Sequence, residues 1–189
     1  MLKILSGFFI IGSLIFSSNF IRFNKNHLKP NNDTIVWSGK NRLTWDDFKG
    51  SPDNPKVYVK ANTASGIYAK QIRVAGKVKI RKYKIQSYFM KNNSWTKVHD
   101  EKVLKHEQLH FDITELYARK LRKSFDSLNT KGVTDKIVYE KIYNSNFTKA
   151  NEYQDVYDGE VYFNEIKQQE WIDKIASEFQ NFKMYELKE

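Results

Sequence analysis

The sequence predicts an α+β domain: an antiparallel sheet of three to four strands, followed by a long helix and two further helices. Three observations lead there. Apolar residues recur at period two between Lys56 and Lys97 and switch to a helical period near residue 100. Glycine (8) and proline (3) are scarce in 189 residues, which favours regular elements over long loops. A content of 40% apolar and 15% aromatic residues is that of a globular chain able to bury one core.

Residues 1–19 open with Lys3, an apolar run from Ile4 to Phe16 and Ser17-Ser18-Asn19. A basic start, an apolar stretch of this length and small residues after it predict a signal peptide, or an N-terminal anchor if uncleaved. Ser6, Gly7, Gly12 and Ser13 break the run, which is short for a membrane span. The protein is thus expected to be exported, to periplasm, cell envelope or medium, touching a membrane only through that segment. Residues 20–33, rich in Asn with Pro30, read as a polar tether, and residues 34–189 as the folded domain.

Within the domain, Thr34 to Trp37 is a short strand. Thr44 caps a helical turn carrying Asp46 and Asp47, with Leu43, Trp45 and Phe48 as packing anchors. Strand pattern follows at Val57/Val59, Ile72/Val74, Val78/Ile80 and Tyr83/Ile85/Ser87/Phe89, one face wet. Asp100 caps a helix with Val103, Leu104, Leu109, Phe111, Ile113, Leu116, Tyr117 and Leu121 inward, ending at Asn129-Thr130-Lys131-Gly132. Thr134 caps a second helix through Ile137, Tyr139, Ile142, Phe147 and Ala150. A break is expected after Asp155, at Tyr157-Asp158-Gly159-Glu160-Val161. A last helix spans about Glu165 to Tyr185, with Ile166, Trp171, Ile175, Phe179 and Phe182 inward.

The chain has no cysteine, which excludes disulfides, thiol nucleophiles and cysteine metal sites. The net charge of +10 comes with no nucleic-acid motif, and its basic residues are dispersed, so a solvated surface is expected rather than a nucleic-acid partner.

Of four histidines, two lie in His106-Glu107-Gln108-Leu109-His110, an H-E-x-x-H pattern. On a helix these two are about 40° apart on one face, so both imidazoles can reach one Zn²⁺. Glu107, one step round, is placed to take a proton from the attacking water. A zincin-like metallopeptidase is the expected class, acting on protein or peptide. The metzincin extension is excluded, because Ile113 and Leu116 stand where glycine and histidine are needed. His99 is about two turns from His106, too far to share an ion, and His27 lies in the tether. The third ligand should then be a later carboxylate: Asp155, Asp158, Glu160 or Glu165. Asp158 and Glu160 stand out, where the chain can fold back over the motif helix. Tyr117, on the metal-facing side, is a candidate oxyanion donor. Asp112 could orient a ligand, and Glu115 with Arg119 should form a solvated i,i+4 pair.

Leu43-Thr44-Trp45-Asp46-Asp47-Phe48-Lys49-Gly50, the stretch Ala61 to Gly66, His106-Glu107-Gln108-Leu109-His110-Phe111-Asp112-Ile113 and Tyr157-Asp158-Gly159-Glu160 occur in that order. This arrangement, over roughly residues 34–180, resembles the DUF922 family, bacterial secreted proteins predicted to be zinc-dependent proteases. The resemblance implies His106 and His110 as ligands, Glu107 as catalytic base, and Asp158 and Glu160 as a later acidic pair. The chain departs from the family pattern after Glu160, where Val161, Phe163 and Asn164 replace T-x-H-G. Glu160 is the preferred third ligand, with Asp158 as the alternative. The competing expectation is a non-catalytic cell-envelope binding protein on the same fold, which gains if no carboxylate comes within about 4 Å of the two imidazoles.

Overall fold

The computed structural model describes residues 32–52, 59–72, 81–161 and 164–187. The signal segment, residues 20–31 of the tether, His27, and the strand positions Val57, Val74, Val78 and Ile80 lie outside the described residues.

The architecture is α+β, with a small antiparallel sheet and three helices. Strand β1 (Thr34–Val36), β3 (Ser65–Ile72) and β4 (Lys82–Met90) form a sheet in the order β1-β4-β3, with Ile35 opposite Phe89 and Ile67 opposite Ser87. A two-stranded ladder pairs β2 (Ala61–Asn62) with β5 (Trp95–Thr96). Gly66 faces Tyr88 across the ladder; a Cβ there would come within 2.9 Å of the Tyr88 hydroxyl, so the ring's position depends on glycine. The expected turn over Trp45–Asp47 forms as a 3₁₀ turn, and Asp47 accepts from both the backbone N–H and the hydroxyl of Thr44.

Helix α1 (Glu101–Thr130) carries the motif. Asp100 caps it, accepting from the N–H groups of Lys102 and Val103, and Gly132 at φ +67° turns the chain away after it. The helix lies across β3 and β4. Ile113, Leu116, Ala118 and Leu121 are fully buried between the sheet and the other two helices. Burying each of the larger side chains is worth about 1.5–3 kcal/mol. Phe111 faces the other way, into a second cluster with Leu43, Phe48 and Phe89.

Helix α2 (Lys136–Val161) corrects the expected break after Asp155: the helix runs unbroken through Asp158, Gly159 and Glu160. Buried Tyr157 and Val161 hold this end against the core, which outweighs the roughly 1 kcal/mol that glycine costs in a helix. Asp135, not Thr134, accepts from the N–H of Ile137 at its start. Ile137 is exposed rather than inward, being in the first turn; Tyr143 is buried instead, donating to the Ile67 carbonyl at 2.7 Å. Helix α3 (Glu165–Asn181), capped by Asn164, buries Trp171 and Ile175, with Phe179 and Phe182 half-buried. Ile166, expected inward, is exposed. No described helix is long and apolar enough to cross a membrane.

Glu115 and Arg119 are not a solvated pair. Each side chain is about 2% exposed, with 3.0 Å between Arg119 Nε and Glu115 Oε1. Ser87 and Arg122 also donate to Glu115, and Arg122 donates to the carbonyls of Ile85 and Tyr185. Phe179 covers the Arg119 guanidinium. The C-terminal end of the chain closes over charges that a local pattern assigns to solvent.

Candidate metal centre

His106 and His110 point Nε2 at the same place, 3.1 Å apart, with ring planes at 83°. One turn of α1 separates them, as their spacing requires. Helix α2 runs antiparallel to α1 and brings Asp158 against both: its Oδ1 is 3.2 Å from His106 Nε2 and 2.9 Å from His110 Nε2. These three residues are a half-buried group able to hold a metal ion. A tetrahedral zinc with bonds of 2.0–2.1 Å needs ligand atoms about 3.3 Å apart. The observed triangle of 2.9, 3.1 and 3.2 Å is close to that without movement of any element. Two imidazoles and one carboxylate are also a donor set that catalytic zinc sites use, leaving the fourth position for water or substrate.

The electrostatics fit the same arrangement. Asp158 is held well below the usual carboxylate range: burial opposes its charge, but the His110 and His106 imidazoles on either side more than reverse that. His110 responds in the opposite sense. Burial disfavours its charge, yet Asp158, then Glu107 and Gln154, push it up to about 9. Asp158 and Glu107 together favour a positive charge at this site.

Glu107 is buried, and its Oε2 has no hydrogen-bond partner among the described residues. A buried carboxylate oxygen without a donor costs on the order of 1–3 kcal/mol or more, so its natural complement is a proton donor such as water. The Thr63 hydroxyl donates to the Glu107 carbonyl and ties this turn to the strand side.

The other sequence candidates sit elsewhere. Glu160 is exposed and its Oε2 accepts from the Trp171 indole at 2.8 Å, so it fastens α2 to α3 and does not join the cluster. With α2 continuous, Asp158 and Glu160 are about 200° apart around the helix and cannot serve one ion together. Tyr117 is two turns beyond His110, 7% exposed, packed with Tyr153 and under Lys120, where it cannot meet an oxyanion. Asp112 does not orient a ligand imidazole. It accepts from Trp37, Arg42 and Gln108, and Gln108 in turn accepts from the Leu43 N–H, so this group locks the residues before the 3₁₀ turn onto α1. Asp155 is exposed, Glu165 pairs with Lys102, and His99 lies edge-on to Trp45.

Two residues that the sequence reading passed over belong to the site. Gln154 accepts from, or faces, His110 Nδ1 through Oε1 at 2.6 Å. Tyr157 stacks on the His106 ring at 4.8 Å and 22°, and its hydroxyl donates to the His106 carbonyl. Both become visible once residues 154–158 are read as helix, since positions 154, 157 and 158 then share a face.

No protein-family model, curated protein or solved structure matches this chain.

Proposed function

We propose that the protein is an exported zinc-dependent metallopeptidase of zincin-like architecture. The single observation that carries this reading is the convergence of Asp158 on His106 and His110, with Glu107 beside them and its Oε2 unpartnered. The approach of a carboxylate to 2.9 Å is what favours catalysis over the non-catalytic binding reading. The resemblance of the ordered motifs to the DUF922 family, and the signal-like start, point the same way.

His106, His110 and Asp158 would hold the ion. Bound there, Zn²⁺ supplies Lewis acidity to the scissile carbonyl and to the attacking water. Glu107 accepts the water's proton on Oε2 and delivers it to the leaving amine. Its burial keeps the carboxylate away from bulk solvent, so its negative charge acts at close range. Tyr157 backs the His106 ring, and the low-lying Asp158 carboxylate remains anionic at any pH where the imidazoles can ligate.

The test is hydrolysis by the purified, zinc-supplemented protein of an unfolded protein such as denatured casein, followed by mass spectrometry of the fragments. Glu107→Gln should keep the zinc and lower turnover by about 10²–10⁴-fold. Equal cleavage by wild type and Glu107→Gln would refute the assignment of the base.

A further inference from the structure

Gln154, which was not singled out from the sequence, makes three contacts at the site, and they are of a particular kind. Its Nε2 lies 3.0 Å from the His110 carbonyl oxygen and 3.3 Å from Thr114 Oγ1. Its Oε1 lies 2.6 Å from His110 Nδ1. The amide cannot be turned over, because that would set its oxygen against the His110 carbonyl oxygen. Thr114 completes the orientation: its hydroxyl donates to the His110 carbonyl at 3.1 Å, which leaves its lone pairs to accept from the Gln154 amide and from the Ser65 hydroxyl at 2.7 Å. Ser65 and Thr114 are both buried, so these bonds are shielded from competing water.

With the amide fixed this way round, Oε1 can only accept. His110 must therefore present a hydrogen on Nδ1, and in the neutral ring Nε2 is left bare and aimed at Asp158 and His106. We infer that Gln154 is a positioning residue of this site: it selects the His110 tautomer and fixes the ring so that Nε2 is the free ligand nitrogen. The inference rests on the zinc reading above. It also gives α2 a compact role. Gln154 and Asp158, four residues apart, face His110 and the His106/His110 pair, so one helix face supplies both a ligand and the group that aims another.

The chain contributes this without any contact between Gln154 and the ion. Partners of ligating histidines of this kind typically support metal affinity by about 10–100-fold. Gln154→Leu removes the acceptor and keeps the bulk. Gln154→Glu keeps an oxygen acceptor toward His110 Nδ1 but sets its second oxygen against the His110 carbonyl, so it restores the bond only in part. Zinc affinity of the three proteins is measured by competition with a chromophoric chelator, beside the thermal midpoint of each metal-free form. The expected result is a loss of about 10–100-fold in Gln154→Leu and a clearly smaller loss in Gln154→Glu, with the affinity change not tracking the midpoint. A Gln154→Leu protein that binds zinc as wild type does overturns the inference and leaves the metal reading standing. So does a Gln154→Glu protein as weak as Gln154→Leu, since a role in packing alone would produce that. If Gln154→Leu fails to fold, Gln154→Met, which also lacks the acceptor, takes its place: weaker zinc binding than in Gln154→Glu supports the inference, and wild-type binding overturns it. A wild-type protein that takes up no zinc removes both readings together.

Discussion

Asp158 Oδ1 stands 2.9 Å from His110 Nε2, and the contact exists because α2 continues as helix through Gly159. A break after Asp155 would have released Asp158 from the face that meets α1. The site therefore depends on a stretch of backbone as much as on its ligands.

Gly159 tests that continuity. A Cβ there meets nothing within 4 Å among the described residues, and its φ is not in the left-handed region. Gly159→Ala should stabilise the protein by about 0.5–1 kcal/mol and leave zinc binding unchanged. Chemical denaturation measures this. A destabilised Gly159→Ala would mean that the chain turns at this point instead of remaining helical.

Glu160 should be separable from the site despite its place in the motif. In Glu160→Gln the amide oxygen still accepts from the Trp171 indole, so zinc affinity stays at the wild-type value and stability changes by about 0.5 kcal/mol or less. A large loss of zinc in Glu160→Gln, read by metal analysis after dialysis, would restore Glu160 as a ligand.

The Glu115–Arg119 pair should matter for folding and not for metal. Removing Arg119 takes one charged donor from buried Glu115, which Arg122 and Ser87 still hold, so the cost is about 1–3 kcal/mol. Arg119→Met should show that loss in urea denaturation while its zinc stoichiometry, measured on the folded protein, is unchanged. A shift within about 0.5 kcal/mol would place the pair in solvent after all.

The metal-free protein should lose stability as pH rises through the range where zinc binds better. His110 is raised from 6.5 to about 9, so its contribution is fully present below about pH 6.5 and disappears as pH approaches 9. Zinc requires that imidazole without its second proton, so the zinc-induced gain grows over the same range. Thermal melts with and without zinc at about pH 6 and about pH 9 should diverge with pH. Parallel curves would mean that His110 does not exchange a proton for the metal.

Much of this was legible locally. Asp100 followed by a helical apolar period identified α1, and the four-residue spacing alone put His106 and His110 on one face. Asp158 was among the candidates, but the choice between it and Glu160 was not local. Tyr-Asp-Gly reads as a break, and what overrides it is tertiary: Tyr157 and Val161 buried in the core, and Trp171 holding Glu160. Gln154 escaped for the same reason, since its face exists only if the helix continues. Glu115 and Arg119 read as surface charges because the residues that bury them, Phe179 and Tyr185 to Glu186, come more than fifty positions later.

The most direct measurement is zinc stoichiometry by elemental analysis of the wild-type protein beside Asp158→Ala, both prepared without chelators. The expected result is close to one zinc per wild-type chain and its loss from a folded Asp158→Ala. A wild-type protein without zinc, or an Asp158→Ala protein that keeps it in full, would contradict it.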